Sequence, residues 1–268
     1  MIEPLRTDQV VNNTIIALST CAAKGRTGPT IHDCREAYSS DQHVGELLID
    51  VRGGIQRVRI PATGLYMLTA EGGNGGDGYV YSEASYGHHG GAGAAAWTVV
   101  QLEEGQIMNV VVGQYGGNRD SYFNQAMGGG GGGGSFVWKE GADEPLLVAG
   151  GGGGATYGVS DANYYGQPGQ STSDGSRGML SGGAGGSNGN GGQSAQNSVN
   201  KGGAGAGWRS DGDCSGHYES LCAQGRLNGF TGGSRSQDGG YPLGGFGGGG
   251  GGNYEGGGGG GYSGGVFV

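Results

Sequence analysis

Apolar and polar positions alternate with a period of two through several short stretches of the first half of the chain. Leu47-Leu48-Ile49, Gln56–Ile60 and Gly64–Ala70 are bounded by Gly and Pro and read as strands. Ala94–Gln101 and Gln106–Gly113 flank Leu102-Glu103-Glu104-Gly105, which reads as a hairpin turn. Ser135–Lys139 and Leu146–Ala149 form a second pair around Glu140-Gly141-Ala142-Asp143, and Thr14–Leu18 reads as an entering strand. About eight short strands at this spacing predict an antiparallel sandwich of the jelly-roll type. One helix is predicted, Ile31–Tyr38, because Thr30 suits an N-cap and Asp33 stands at N3 in a capping-box arrangement.

After Gly150 the alternation fades into Gly, Ser, Asn and Gln with isolated aromatics. The homoglycine runs Gly128–Gly134, Gly150–Gly154, Gly247–Gly252 and Gly256–Gly261 have no side chains with which to build a core. Ordering one residue costs roughly 1–2 kcal/mol, and a net backbone hydrogen bond returns about 0.5–1.5 kcal/mol. A run therefore cannot hold one shape alone. It is either a flexible linker or one of several extended three-residue-per-turn helices bonded side by side. The runs begin where strands end, as at Val148-Ala149-Gly150, and strands resume after them, as at Gly134-Ser135-Phe136. Such threading favours a packed bundle. The expected organisation is a sandwich over residues 1–149, with glycine excursions at 71–93 and 128–134. A glycine-rich bundle over 150–265 is threaded through it as one unit.

Composition removes other classes. Of 268 residues, 72 are Gly and only 6 Pro, without the every-third-residue period of collagen. The net charge of -9 argues against nucleic acid and anionic membrane as partners. Four cysteines fall in two local pairs, Cys21 with Cys34 and Cys214 with Cys222, and none has CxxC spacing. Two disulfides in an oxidising compartment is the preferred reading, four buried thiols the alternative. Asn12-Asn13-Thr14 is a glycosylation sequon, which makes Asn12 a candidate acceptor and agrees with secretion. No apolar run reaches the ~20 residues of a membrane span, and no signal-peptide core opens the chain. An extracellular protein of this kind is expected to be a piece of something longer.

Apparent chemical motifs carry little. Gly73–Gly78 fits G-x-G-x-x-G, but Tyr79-Val80-Tyr81 after it is no helix start, and no P-loop lysine follows. His88-His89 has no further ligand at a recognised metal spacing, so a solvated loop pair is expected. No nucleophile–base grouping stands out, and no catalytic residue, metal or cofactor is expected. Tyr157, Tyr164, Tyr165, Phe246, Tyr254 and Tyr262 read as caps over the edges of a glycine bundle.

Thr20–Thr30 with Cys34 and Ala37-Tyr38, Ile60-Pro61-Ala62-Thr63, Val111-Val112-Gly113-Gln114, Gly128–Gly134 and Gly244-Gly245-Phe246 occur in that order along nearly the whole chain. Together they resemble the membrane-proximal glycine-rich region of the anaplastic lymphoma kinase and leukocyte tyrosine kinase receptor family. The resemblance implies a mainly β fold, a TNF-like jelly-roll sandwich with an inserted polyglycine-helix bundle. It implies a ligand-binding extracellular fragment of a single-pass receptor tyrosine kinase. The chain itself would not be an enzyme. Its implied partners are a secreted protein ligand and, in the ligand-bound state, a second receptor copy.

Departures from the pattern point to an invertebrate member. Only Tyr115–Met127 stands where vertebrate receptors carry a longer helical insert. Asn109, Gly117 and Asn253 replace a Tyr, a Glu and a Cys of that pattern. The expected ligand is then a secreted protein with an LDL-receptor class A module. Charge, and the family's use of the V-G-Q strand region, select Glu103, Glu104, Tyr115, Arg119 and Asp120 as ligand-binding residues. A secreted glycine-rich matrix protein is the competing class, although no tandem repeat of fixed period supports it.

Overall fold

The computed structural model describes residues 15–79, 86–118, 127–158, 164–178, 183–193, 201–213, 222–234 and 242–265. It is mainly β. Antiparallel strands β1 (Leu48–Arg52), β2 (Ile55–Arg59), β7 (Ile107–Val111), β8 (Ser135–Lys139) and β9 (Leu147–Ala149) form a sheet in the order β1-β2-β7-β8-β9. Strands β3 (Gly64–Glu71) and β6 (Ala95–Leu102) pair as a two-stranded ribbon, and β4 (Gly78–Tyr79) pairs with β5 (Tyr86–His88). Side chains alternate across β8 and β9. Val137 and Leu147 join a core with Val58, Met108 and Leu102, while Phe136, Trp138 and Val148 face an aromatic cluster on the opposite side. The large sheet is thus buried on both faces.

The expected β8–β9 hairpin forms, with Ser135 opposite Ala149. The expected β6–β7 hairpin does not. Strand β6 pairs with β3, and β7 lies between β2 and β8. The turn after Leu102 crosses between layers, beside the equally crossing β2–β3 connection. Ile60 donates to the Gln106 carbonyl and accepts from Gly105, both at 2.9 Å, and the Glu104 N–H donates to Thr63 Oγ1 at 2.9 Å. Pairing the two corners lets β6 cover the sheet that contains β7, which a hairpin within one sheet would prevent.

Helix α1 (Ile31–Ala37) carries the expected reciprocal cap, in which the Thr30 hydroxyl accepts from Asp33 N–H and Asp33 Oδ2 accepts from Thr30 N–H at 2.7 Å. A second helix, α2 (Gln42–Leu47), was not expected. Asp41 caps it by accepting from Val44 N–H at 3.1 Å, and the Leu47-Leu48 apolar run splits between this helix and β1. Residues 15–20 form no strand. Ser19 is held by buried side chains instead. Its N–H donates to the Tyr38 hydroxyl at 2.8 Å and its carbonyl accepts from Gln56 Nε2 at 2.8 Å. The Cys21–Cys34 disulfide joins this segment to α1. Cys214 and Asn12 lie outside the described residues.

The glycine runs are buried and bonded laterally. Gly129 and Gly132 donate to Ala155 and Gly152, Gly130 and Gly133 to Gly117 and Gln114, and Gly131 and Gly134 to Gly250 and Gly247. Their carbonyls accept in the same rhythm, Gly133 and Gly130 from Gly73 and Gly76, Gly129 and Gly132 from Gly257 and Gly260, and Gly131 from Gly245. Partners therefore recur every third residue, and the central run is ringed by the segments 73–76, 114–117, 152–155, 243–246, 247–250 and 257–260. Approach is close enough to exclude any side chain. A Cβ at Gly132 would stand 2.1 Å from the Gly73 carbonyl oxygen, and one at Gly130 2.0 Å from that of Leu243.

An aromatic layer joins the glycine network to the large sheet. Phe136, Trp138, Trp208, Phe230 and Phe246 are buried together, with Phe136–Phe230 ring centroids 4.7 Å apart and Trp138 edge-on to Trp208 at 5.3 Å. Phe246 is therefore an interior residue and not an edge cap. The β8–β9 connection docks onto the same layer. The Asp143 carbonyl accepts from Trp208 Nε1 at 2.7 Å, and Glu144 pairs with Arg209 and accepts from the Tyr262 hydroxyl at 3.2 Å.

Candidate interaction face

Strict alternation along β3 and β6 gives the ribbon two unlike faces. Tyr66, Leu68, Ala70, Ala96 and Val100 pack inward on the sandwich core. Leu65, Met67, Trp97 and Val99 point outward and are 64%, 70%, 71% and 54% exposed. The register sets Met67 opposite Val99, Leu65 opposite Gln101 and Thr69 opposite Trp97, so the four apolar side chains belong to one face. Scattered exposed apolar residues are ordinary on protein surfaces, whereas a contiguous group containing Trp is a candidate interaction surface.

The charged residues of the ribbon and the turn that follows it are acidic. Glu71 closes β3, and Glu103 and Glu104 follow β6, all three exposed. No Lys or Arg lies within Gly64–Glu71 or Ala95–Gly105. The face is therefore apolar at its centre with acid at both ends, a pattern suited to an apolar partner surface with basic flanks.

The structure brings Glu103 and Glu104 to the end of this face, because Leu102 pairs with Gly64. Tyr115 is 68% exposed but lies elsewhere, on the segment that bonds into the glycine network through Gly116 and Asn74. Arg119 and Asp120 lie outside the described residues. His88 and His89 have different surroundings. His88 is buried, with Nδ1 3.0 Å from the Thr156 carbonyl and its ring stacked on Tyr164, so the expectation of two solvated histidines fails for it. His89 is exposed and sits 3.5 Å from Asp77. Among the described residues, no three His, Cys, Asp or Glu side chains converge in a metal-binding arrangement.

Leu65, Met67, Trp97 and Val99 were missed as site residues for a physical reason. Leu65–Leu68 is apolar on both faces, and alternation does not say which face meets the core. An apolar residue at every position of a strand in a thin layer was the available signal.

Two electrostatic features lie elsewhere in the fold. Burial pushes the Asp50 carboxyl up, but hydrogen bonds from Arg57 and Arg52 outweigh it and hold the group below the usual carboxylate range. Arg57 itself is buried and also pairs with Glu140. In the glycine network burial dominates instead. The Glu255 carboxyl is pushed above its ordinary range, only partly offset by Lys201 at 2.6 Å.

Over 101 residues, 37% of this chain, the sequence is 34% identical to the leukocyte tyrosine kinase receptor of Mus musculus. The matched region covers 11% of that receptor's length. No family model matches the chain. The similarity supports a related receptor family and extends over a small part of the whole receptor. No helix among the described residues is long and apolar enough to cross a membrane.

Proposed function

We propose that this chain is the ligand-binding extracellular fragment of a single-pass receptor tyrosine kinase. It binds a secreted protein ligand and supports ligand-induced dimerisation and activation of a kinase located outside this chain. The observation that carries the reading is the similarity to the leukocyte tyrosine kinase receptor. The Cys21–Cys34 disulfide fits a location on the extracellular side of the plasma membrane. The exposed apolar face with acidic ends is a place for a protein partner.

In this reading the sandwich is a TNF-like jelly roll, and the laterally bonded glycine segments are polyglycine helices of three residues per turn. Their three-residue rhythm of donors and acceptors supports that geometry. The bundle acts as a rigid mount. By fixing the backbone beside Tyr115 and the Gly72–Ala94 end of the β3–β6 ribbon, it spares the ligand the cost of ordering loops there on binding. Arg119 and Asp120 are proposed as contacts on charge and sequence position alone.

The test is capture of secreted proteins by the fragment, followed by measurement of the complex's mass. One ligand-bound species containing two copies of the chain is expected. Charge reversal at Glu103, Glu104 and Asp120 should weaken that binding and flatten its salt dependence. Unchanged affinity and salt dependence would remove these residues from the site, and a complex with one copy of the chain would reject the dimerisation role.

A further inference from the structure

The β3–β6 ribbon is an unfinished layer. It places two strands over a sheet of five, and neither of its outer edges is paired among the described residues. Strand β6 is the more inviting edge. Its sequence, Ala-Ala-Trp-Thr-Val-Val-Gln-Leu, contains no charge and no Pro, and its eight-residue register with β3 runs without a bulge. Charged residues, Pro and bulges are the devices that keep an edge strand from pairing.

We propose that β6 pairs antiparallel with β6 of a second copy about a two-fold axis at Thr98, joining two ribbons into one four-stranded sheet. With Thr98 on the axis, Trp97 falls opposite the partner's Val99, and Val99 opposite the partner's Trp97. Both pairs lie on the exposed face, and aromatic–β-branched pairs are favourable across antiparallel strands. The same register ends the strand pairing at Ala95 opposite the partner's Gln101, so Glu103 and Glu104 of two chains of net charge -9 lie beyond the seam and do not face each other. Symmetry makes the contact isologous and closed, ending at a dimer. Strand β3 offers a poorer seam, because it ends in Glu71. The pairing forms between unliganded copies and does not need the receptor reading. Where that reading holds, it sets two ligand faces side by side.

Sedimentation of the ligand-free chain at concentrations up to about 1 mM tests it. A reversible monomer–dimer equilibrium is expected, with Trp97 emission shifting to the blue in the dimer. Trp97→Glu alone should weaken self-association roughly tenfold by removing the aromatic–β-branched pair with the partner's Val99 at both symmetry-related positions. Mixing Trp97→Glu with Val99→Lys should yield a heterodimer tighter than the Trp97→Glu homodimer, because the introduced carboxylate then faces the introduced ammonium across the seam. A chain that stays monomeric throughout overturns the proposal, as does a mixture that recovers no association. A dimer indifferent to both substitutions but lost with Met67→Glu would assign the contact to β3 and overturn it equally. Because no ligand is present, each of these results leaves the ligand-binding reading to its own test.

Discussion

The Gly131 N–H donates to the Gly250 carbonyl at 2.8 Å, although the two belong to glycine runs far apart in the sequence. The Gly131 carbonyl in turn accepts from Gly245, so neither backbone group of this residue is satisfied within its own run. Order in the glycine network is therefore collective. Each run is held by segments that leave and re-enter the sandwich, and Gly134 passes directly into β8 at Ser135.

A Cβ at Gly131 would stand 2.1 Å from the Gly258 carbonyl oxygen, a clash with backbone that no rotamer relieves. Gly131→Val is expected to lower stability by about 2–4 kcal/mol. A sharper comparison lies within one run. At Gly152 the added carbon would be 1.9 Å from the Gly91 oxygen, while at Gly153 its nearest neighbour is 3.4 Å away. Gly152→Ala should destabilise strongly. Gly153→Ala should be neutral or stabilising by up to about 1 kcal/mol through the entropy of the unfolded chain. Thermal midpoints of the two variants decide the matter, since a linker would treat both residues alike.

Removing the Cys21–Cys34 bridge frees the segment before α1, which has no strand pairing to hold it. The double substitution Cys21→Ser, Cys34→Ser is expected to cost about 2–4 kcal/mol. Chemical denaturation in urea measures it. An unchanged midpoint would mean that the Tyr38, Gln56 and Ser19 hydrogen bonds suffice alone.

Acid acts on the two halves in opposite senses. Asp33 is held below its ordinary range, first by the Thr30 backbone N–H and then by its hydroxyl, and Asp50 by its arginines against the pull of burial. Both folded values lie below the unfolded 3.8, so their contribution is present above that pH and is lost as pH falls through the folded values. Glu255 is raised above 4.5, so its folded state favours the proton. Its contribution is full below 4.5 and is lost as pH rises through the folded value. Stability of Glu255→Gln relative to the parent should therefore improve as pH rises above 4.5, whereas that of Asp33→Asn should fall as pH rises from below 3.8. Thermal midpoints across pH 3 to 7, about the range over which these carboxyls titrate, check both signs.

The Thr30 cap tests the sandwich end of the molecule locally. Thr30→Ala should cost about 1 kcal/mol, because the Asp33 N–H loses its acceptor while Asp33 still serves the Thr30 N–H. Amide exchange confined to α1 should speed up, leaving β7 and β8 protected.

The exposed face is expected to contribute little to folding. Met67→Thr and Trp97→Thr keep β-forming residues on solvent-facing positions, and together should shift stability by no more than about 1 kcal/mol. Retention on a hydrophobic column should fall at the same time. A large loss of stability would show that the outward face packs against something within the chain.

Sequence by itself determined the elements whose signals are local. Alternation located β2, β3, β6 and the β8–β9 hairpin, the Thr30–Asp33 spacing marked α1, and the short separation of Cys21 and Cys34 indicated their bridge. It also established that a glycine run is not self-supporting. Tertiary structure alone decided which strands pair, because the Leu102–Gly105 turn can close a hairpin or turn a corner, and only the neighbouring Ile60–Thr63 connection selects the corner. It decided that Leu65 and Trp97 face outward, because an apolar residue on either side of a strand satisfies the same period. Above all it decided how the described glycine runs pair with one another. Identical residues carry no register, so Gly131 meets Gly250 only because strands and aromatics elsewhere fix where each run begins and ends.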